Sequence, residues 1–402
     1  MLNKKAGWRI LVLLTILALP AASVVKADFE QAMNYFNTGK YVEAAAEFQT
    51  LVDNSPNYDS GYYMLGLSLL KMGKPAEAEQ AFNKAIEING ENFGYHHGLA
   101  KAYFDQDQHS KSVATLKTAE PLATDTQTKF ALYTLRGYAY AALEAWADAA
   151  EDLENARKIK KDGAVLSQLG KAYYGLGHND KAVDAFREAL KVRANDPAST
   201  QLLAESLINL GTKATSDSQK STYYTEAVQY AEKFQKMKPN SYEANNLVGR
   251  AALGAGDFAK AEQAFRKVLA QKPDYCYAMV NLGKVYIAQK SWADAEGILM
   301  DASKCAPRMP VIYESLGFVI EKQKRLEEAI AQYEKALQIK PSAGISAAIN
   351  RCRENIAIRD ENQAIAAVEE QQKADEEQAQ RDYEEAQRKQ KEWEEAQRKR
   401  DD

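Results

Sequence analysis

Apolar residues recur along most of the chain at helical spacing, in pairs of segments. In residues 276–309 the first apolar face is spaced by three, one and three residues: Met279, Leu282, Gly283 and Tyr286. A second face follows at steps of four and three: Ala295, Leu299 and Ala302. Pro307 ends this second helix, because proline cannot continue a helical hydrogen-bond ladder. The pattern therefore predicts a unit of two helices joined by a short turn.

The same unit returns every 34 residues. Prolines, alanines and glycines keep this step in three series: Pro239, Pro273, Pro307 and Pro341; Ala227, Ala261, Ala295 and Ala329; Gly249, Gly283 and Gly317. A fixed period of this length indicates a stack of supersecondary units. Gly283 and Ala295 are small where two antiparallel helices are expected to approach closely. We expect Tyr286 to fill the space between units, with its hydroxyl on water or on a backbone group.

These positions resemble the tetratricopeptide repeat (TPR), whose signature includes L-G-x-x-Y, then A-x-x-x-F, then P. About nine such units fit between residues 28 and 341. The resemblance implies an all-α fold, a right-handed superhelical solenoid of helix-turn-helix units. A C-terminal capping helix and a long charged helix are expected to follow it.

Two stretches depart from the family pattern. Residues 121–127 lengthen the connection between the third and fourth units. In the sixth unit Leu207 and Ala227 are 20 residues apart where the pattern has nine, an insertion of eleven. Its core, residues 213–222, is polar and has no apolar period, which predicts a surface loop. The alternative is a contact loop on a binding face.

The chain changes character after Pro341. Residues 342–359 carry apolar side chains that can cover the open end of the last unit, as a repeat array requires. Residues 360–402 are rich in Glu, Gln, Arg and Ala, with Glu placed four residues before a base. Such pairs predict an exposed charged helix. The alternatives are a docking helix that uses Tyr383 and Trp393 or, more weakly, a coiled coil.

The first 27 residues follow the order of a secretory signal peptide. A basic start precedes an apolar run at residues 10–19, then Pro20 and small residues up to Ala27. We expect cleavage and a periplasmic or secreted protein, in the style of a bacterial signal. The alternative is an uncleaved inner-membrane anchor that faces the periplasm. After cleavage no stable membrane span is expected, since no other apolar run is long enough.

Composition excludes several classes of protein. The net charge is −4, and loss of the signal peptide changes it to −8, which argues against a generally basic nucleic-acid binder. Three Cys without a C-x-x-C motif exclude zinc ribbons and disulfide-dense scaffolds. The four His form no chelating pattern, and phosphate-binding loops and hydrolase motifs are absent. We therefore expect no catalytic residue, no metal site, no cofactor and no enzymatic activity.

Two of the cysteines occupy related positions. Cys276 is the first residue of its unit and Cys305 is the thirtieth. In a two-helix hairpin these positions share the open end, and an oxidising compartment would permit a disulfide. The alternative is two unrelated small apolar residues. Cys352 is left unpaired under either interpretation.

The resemblance also implies where a ligand binds. In TPR proteins the first helices line an inner groove, which the ninth residue of each unit faces. These positions and their aromatic neighbours supply the candidate binding residues: Lys101, Phe104, Tyr138, Lys171, Tyr174, Arg250 and Lys284. A basic and aromatic lining suggests an acidic or aromatic-containing peptide segment. The alternative is that long lysines merely solvate the surface.

These features predict a non-enzymatic scaffold or adaptor in the bacterial envelope. Its partners would be proteins of envelope assembly, secretion or export, bound as extended segments in the groove. The alternative is a binding subunit for a cell-wall or exported polysaccharide polymer. Such sites usually show exposed aromatic residues in a line, and Phe104, Tyr138 and Tyr174 are few for that purpose.

Overall fold

A computed structural model describes residues 28–401, and within this range all regular structure is helical. It contains nineteen α-helices, which confirms the all-α fold predicted from the sequence. The predicted signal peptide, residues 1–27, lies outside the described residues. None of the described helices combines the length and apolarity needed to cross a bilayer.

The helices follow one another in pairs, here called repeats, and fall into two compact arrays. The N-terminal array ends at Pro239. It holds repeats one to six: α1 (28–37) and α2 (Tyr41–Asn54), α3 (Asp59–Lys71) and α4 (Pro75–Ile88), α5 (Phe93–Asp105) and α6 (His109–Ala119), α7 (Thr126–Ala142) and α8 (Trp146–Ile159), α9 (Gly163–Gly175) and α10 (Asn179–Val192), α11 (Pro197–Lys213) and α12 (Asp217–Met237).

The C-terminal array begins at Asn240. It holds repeats seven to nine and the last helix: α13 (Tyr242–Ala255) and α14 (Phe258–Gln271), α15 (Cys276–Ala288) and α16 (Trp292–Cys305), α17 (Pro310–Lys322) and α18 (Leu326–Ile339), α19 (Ala343–Asp401).

In six of the nine repeats the two helices meet at a glycine that leaves no room for a side chain, as repeats two and eight illustrate. A Cβ built on Gly283 would lie 2.7 Å from the Leu299 side chain, and one on Gly66 would lie 2.7 Å from Phe82. Ala295 is fully buried on the opposing helix. Real Cβ contacts are not this short, so a larger residue would force the helices apart.

Tyr286 fills the space between neighbouring repeats, as expected, and is 7% exposed. Its hydroxyl accepts a hydrogen bond from the guanidinium of Arg266, at 2.9 Å, on the second helix of the preceding repeat. The predicted partner was water or a backbone group. The structure supplies a side chain instead, so this tyrosine ties two repeats together through a polar contact as well as by packing.

The turn inside most repeats uses one residue with a left-handed backbone. Four are glycines, with φ between 73° and 79°: Gly39, Gly73, Gly177 and Gly256. The matching position in four other repeats carries a side chain, with φ between 56° and 64°: Asp107, Glu144, Lys290 and Lys324. Only a left-handed residue reverses the chain this tightly at a helix end, and non-glycine residues adopt that conformation at a cost of about 1 kcal/mol.

The prediction of a surface loop at residues 213–222 is wrong. Helix α11 has 17 residues and α12 has 21, whereas α9 and α10 have 13 and 14, so the whole insertion of eleven residues lengthens the two helices. The ring of Tyr224 packs on Gly211, and its hydroxyl hydrogen-bonds the Thr212 hydroxyl at 2.9 Å. The inserted residues are polar because they extend the hairpin into solvent, where a helix needs no apolar face.

The capping segment and the charged segment, expected as 342–359 and 360–402, form one continuous helix, α19. Its start is buried against α18 through Ile345, Ile349 and Cys352. Arginines extend this attachment through ion pairs with α17 and α18: Arg351 to Glu321 at 2.8 Å, Arg353 to Glu334 at 3.3 Å and Arg359 to Glu327 at 2.8 Å. Beyond these ion pairs nearly every described residue is exposed. The two predicted segments therefore differ in burial, although the helical backbone continues through both.

A disulfide closes repeat eight. Cys276 at the start of α15 is bonded to Cys305 at the end of α16, with a Cα–Cα distance of 5.7 Å. Cys352 is a buried free thiol on α19. The bond joins the open end of the hairpin, so the two helix ends cannot separate while it is intact.

Repeat four contains a buried ion-pair network in place of apolar packing. Arg136 of α7 is 7% exposed and Asp152 of α8 is 4% exposed. The guanidinium donates to both Asp152 carboxylate oxygens, at 2.7 and 2.9 Å, and to Glu120 at 2.6 Å. These hydrogen bonds, first those to Asp152, hold the pKa of Arg136 well above its ordinary value. Glu120 lies in the 3₁₀ turn of the lengthened connection, so the network joins repeats three and four.

Thiol counting tests the disulfide. We expect one free thiol, Cys352, in denaturant without reductant and three after reduction. Reduction should lower the free energy of unfolding by about 3–4 kcal/mol, because it frees a loop of about 30 residues in the unfolded chain. The Cys276→Ser/Cys305→Ser double variant is the control and should not respond to reductant. Three free thiols without reductant would contradict the bond.

Denaturation of single and double variants tests the ion pair. Arg136→Leu leaves the Asp152 carboxylate buried without a counter-charge and should lower the free energy of unfolding by about 3–5 kcal/mol. Arg136→Leu/Asp152→Ala introduces the residue types found at these positions in repeat five, Leu169 and Ala185. The double variant should recover to within about 1 kcal/mol of the original chain. A double variant as unstable as the single one would contradict this account.

Candidate binding surface

Neighbouring first helices pack side by side and form one face of each array. In the N-terminal array α3, α5, α7, α9 and α11 each contact the next in this series, and in the C-terminal array α13, α15 and α17 do so. Successive second helices contact each other slightly at most. Each array therefore curves toward its first helices. We call the resulting surface the first-helix face.

All seven predicted binding residues lie on first helices, and none is fully buried. Five belong to the N-terminal array: Lys101 and Phe104 on α5, Tyr138 on α7, and Lys171 and Tyr174 on α9. Two belong to the C-terminal array: Arg250 on α13 and Lys284 on α15. The structure thus divides the set between two faces, and their local surroundings differ.

In the N-terminal array the predicted cation Lys101 is already paired. The Lys101 ammonium lies 5.7 Å from the Phe104 ring centroid, so the two predicted residues are together. It also donates a hydrogen bond to the carboxylate of Asp105, one helical turn away on α5. This ion pair compensates the charge that the sequence suggested would face a ligand.

The tyrosines of the N-terminal face are engaged with the next repeat. The Tyr174 hydroxyl donates to Glu205 of α11 at 2.9 Å. Burial, with a further contribution from Asp162, raises the pKa of Tyr138 to about 12. Lys171 is exposed and forms no ion pair within residues 28–401. Of the predicted basic residues on this face, Lys171 alone therefore presents an uncompensated charge among the described contacts.

In the C-terminal array the two predicted cations, Arg250 and Lys284, form no ion pair within the described residues. Arg250 is half-buried and Lys284 is exposed, and neither forms an ion pair or a side-chain hydrogen bond with any residue that the structure describes. A guanidinium that has lost part of its hydration without gaining an anion is a favourable position for a ligand carboxylate.

Three tyrosines at the starts of α13 and α15 form a ring cluster that was not predicted from the sequence. The Tyr242 and Tyr275 ring centroids are 5.5 Å apart and the rings meet edge to face, and those of Tyr275 and Tyr277 are 6.0 Å apart. Burial raises the pKa of Tyr275, and the nearby positive charge of Arg250 opposes the shift. The sequence signal existed, because Tyr275 and Tyr277 flank Cys276 at the start of a repeat and Tyr242 begins the preceding one. The candidate residues were taken from the ninth position of each unit and its aromatic neighbours, so these three tyrosines were not among them.

His97 links two first helices of the N-terminal face. Its ring is half-buried, lies 5.6 Å from the Phe93 ring centroid and hydrogen-bonds the backbone of Ala131 on α7. Burial, assisted by the charge of Lys101, lowers the pKa of His97 to about 4. The imidazole is therefore neutral near pH 7 and acts as packing between α5 and α7.

Within the described range no three His, Cys, Asp or Glu side chains come together as a metal site would require. The first-helix faces carry cations, aromatic rings and hydrogen-bonding groups on helices that are fixed by their neighbours. Such a surface can bind an extended, oppositely charged segment by charge pairing and ring contacts.

Comparison with known families gives consistent matches along the chain. Family models described as tetratricopeptide repeat match six segments, with unmatched stretches at residues 93–162 and 197–220: residues 26–58, 60–92, 163–196, 221–275, 252–312 and 311–342. Together these segments span more than half of the chain.

Similar proteins share low sequence identity with this chain. The BBSome complex member BBS4 of Bos taurus is 23% identical over 317 residues, which cover 78% of this chain and 58% of that protein. Its Drosophila melanogaster homolog is 24% identical, covering 77% and 63%. The chain thus spans less than two thirds of the length of these relatives. The C-terminal part of a TPR repeat-containing protein from Cytophaga hutchinsonii shares the fold, with 20% identity, a TM-score of 0.50, and coverage of 63% of this chain and 99% of that structure.

The pH dependence of stability tests the placement of His97. An unfolded histidine has a pKa of about 6.5, so between pH 6.5 and 4 the unfolded chain binds a proton there that the folded chain does not. Stability should be constant above about pH 6.5 and fall by on the order of 3 kcal/mol as the pH drops to 4. A His97→Gln variant should lack this loss. Parallel stability curves for the two proteins over that range would contradict the assignment.

Proposed function

We propose that this chain, which belongs to the tetratricopeptide repeat family, is a non-enzymatic scaffold or adaptor that binds extended segments of partner proteins on its first-helix faces. The observation that carries the proposal is the set of uncompensated cations on those faces, Lys171, Arg250 and Lys284. Each lies on a first helix, and none has a carboxylate partner within the described residues.

Charge and rigidity together favour a peptide ligand of acidic character. A carboxylate placed against a partly desolvated guanidinium forms a stronger hydrogen bond than it does in water. The helices that present these cations are packed on both sides, so little conformational freedom is lost on binding. A segment that binds in extended form gains contacts on several repeats at once.

We place this scaffold in the bacterial envelope, with partners among assembly, secretion or export components. The signal-like sequence at residues 1–27 supports export. The Cys276–Cys305 disulfide supports an oxidising compartment, where such bonds persist. One relative is named as a member of a protein complex, which supports a role within assemblies.

Affinity capture from envelope extract tests the proposal. A variant with Lys171→Glu, Arg250→Glu and Lys284→Glu should lose at least ten-fold of the partner signal, because like charges then oppose an acidic segment. The matched control reverses two exposed lysines on second helices, Lys191→Glu and Lys267→Glu, and should retain the partners. Circular dichroism should show both variants folded. Equal recovery of partners by the triple variant would contradict binding on the first-helix faces.

Sedimentation with purified cell-wall sacculi addresses the polysaccharide alternative. We expect the protein to remain in the supernatant. Pelleting that the triple charge reversal abolishes would show that a cell-wall polymer, rather than a protein segment, occupies the first-helix faces.

A further inference from the structure

In four repeats a tyrosine of the first helix fills the gap between the two second helices that flank it. The tyrosine follows by three residues the glycine or alanine at which the helices of the repeat meet: Tyr103 in repeat three, Tyr140 in repeat four, Tyr173 in repeat five and Tyr286 in repeat eight. The Tyr173 hydroxyl donates to Glu154 of α8 at 2.9 Å, and the Tyr286 hydroxyl accepts from Arg266 of α14 at 2.9 Å. The other two hydroxyls hydrogen-bond side chains of α4 and α6. Ring and hydroxyl together thus join neighbouring repeats.

Repeat two lacks this tyrosine and one of the groups that would hold its hydroxyl. Leu69 occupies the tyrosine position on α3. Ala45 and Gln49 of α2 stand one and five residues after the buried alanine of that helix, as do the two α4 residues that hydrogen-bond Tyr103. Leucine supplies no ring and alanine no polar group, so of this contact only Gln49 remains.

The gap between α2 and α4 is therefore open. It forms a slot of about 710 Å³, within the range of about 300–1,000 Å³ that is usual for ligand pockets. We define the repeat-two slot by its apolar lining, which comes from all three helices: Ala45 on α2, Leu65 and Leu69 on α3, and Ala81 on α4. Among the described contacts no ion pair or side-chain hydrogen bond joins α2 to α4. The slot thus stays accessible to a side chain from outside the repeat.

Other repeats without the tyrosine close the gap in a different way. Leu207 of repeat six and Ala252 of repeat seven are fully buried, and Ile320 of repeat nine is 4% exposed. In repeats six and nine an ion pair also crosses from one second helix to the next: Arg187 to Glu226 at 2.7 Å, and Arg325 to Glu296 at 2.9 Å. No such bridge lies over Leu69 within the described chain, so the open slot comes from the residues of repeats one and two.

The mouth of the repeat-two slot favours an uncharged ligand with one polar group. Two lysines at the rim already have a carboxylate partner: Lys74 pairs with Glu77 at 2.9 Å, and Lys84 pairs with Glu87 at 2.6 Å. A charged ligand would lose hydration in the slot without gaining a counter-charge. The Gln49 amide nitrogen donates to Asp53 at 2.7 Å, so the carbonyl oxygen of Gln49 can accept from a hydroxyl. A phenol ring fits these requirements.

We propose that the repeat-two slot binds a tyrosine side chain of a partner protein, in the place that the chain's own tyrosines fill in four other repeats. The ring packs on Leu69, and its hydroxyl donates to Gln49. The slot is open to solvent, so the ring enters while the backbone that carries it stays outside. It opens between second helices, not on a first-helix face, and is therefore a second binding site that goes beyond the scaffold proposal. Its walls are fixed by α3 before binding, which lowers the entropy lost on docking.

Saturation-transfer NMR titrations of the full chain test the ligand class. N-acetyl-tyrosinamide should bind saturably at millimolar concentration, as expected for one buried ring. N-acetyl-phenylalaninamide should bind about three-fold more weakly because it lacks the hydroxyl, and N-acetyl-leucinamide about ten-fold more weakly because it lacks the ring. Equal affinity of the three compounds, or no saturation by N-acetyl-tyrosinamide at about 10 mM, would overturn the proposal.

A free phenol tests whether the ligand is a side chain on a partner. p-Cresol is the tyrosine side chain without a backbone, and it should bind no more tightly than N-acetyl-tyrosinamide. An affinity for p-cresol about ten-fold higher would assign the slot to a small aromatic compound and overturn the partner.

Variants locate the binding. Leu69→Tyr should abolish it, because the chain then supplies its own ring, whereas Leu69→Met keeps the slot open and should retain the affinity. Leu69→Tyr should not lower the melting temperature, while Leu207→Tyr, at the closed gap of repeat six, should lower it by several degrees through overpacking. Unchanged binding in Leu69→Tyr, with circular dichroism showing a folded chain, would overturn the site.

Gln49→Ala tests the hydroxyl contact. It should reduce the affinity for N-acetyl-tyrosinamide to that for N-acetyl-phenylalaninamide and leave the latter unchanged, because only the tyrosine compound uses the carbonyl oxygen of Gln49. A general loss of packing would weaken both compounds equally, and that result would overturn the assigned contact.

The two proposals are separated by the charge-reversal variant. Lys171→Glu/Arg250→Glu/Lys284→Glu should bind N-acetyl-tyrosinamide like the original chain, since none of these residues lines the slot. Loss of this binding in the folded triple variant would overturn the placement in repeat two. Absence of tyrosine binding with envelope capture preserved would remove only this inference, whereas tyrosine binding without envelope capture would remove only the scaffold proposal.

Discussion

The close approach of two helices at a small residue, a glycine in six of the nine repeats, is the constraint on which the repeats depend. At Gly283 and Gly66 a single added carbon would lie 2.7 Å from the facing helix. This contact sets the distance within each repeat, the left-handed residue sets the turn, and large residues such as Tyr286 then fill the space between repeats. The first helices lie side by side as a result, and their adjoining surfaces form the first-helix face of each array.

The sequence was sufficient for the repeating part of the fold and insufficient where the repeat is broken. Steric requirements at Gly283 and Ala295 leave a signal in every unit, so the period identifies the helices. The stretch 213–222 carries no such signal, because its helical extension faces solvent and polar residues there fit a loop equally well. For the same reason the sequence suggested a division near residue 360, although α19 continues through it.

The candidate residues lie on first helices as predicted, but the sequence did not show which of their charges are paired. The ninth position of each unit and its residue type identified Lys101 and Arg250 as equivalent cations on the first helices. Their difference depends on what lies one turn away: Asp105 pairs with Lys101, whereas no carboxylate of the described chain pairs with Arg250. Tyr242, Tyr275 and Tyr277 were missed because they lie outside the ninth position that the family resemblance emphasises. Whether a charge is paired depends on which side chains lie near it in the folded structure, and the repeat pattern of the sequence shows only some of these neighbours.

The buried network of Arg136, Asp152 and Glu120 bears on how the array assembles. Repeats that resemble one another can pair with the wrong neighbour while a chain folds, since each offers a similar apolar surface. Repeat four carries Arg136 where repeats three and five carry Leu99 and Leu169. Docking it against any repeat without Glu120 in the adjoining turn would leave the guanidinium with one carboxylate instead of two. The network thus favours the native junction between repeats three and four over the packing of repeat four against another repeat.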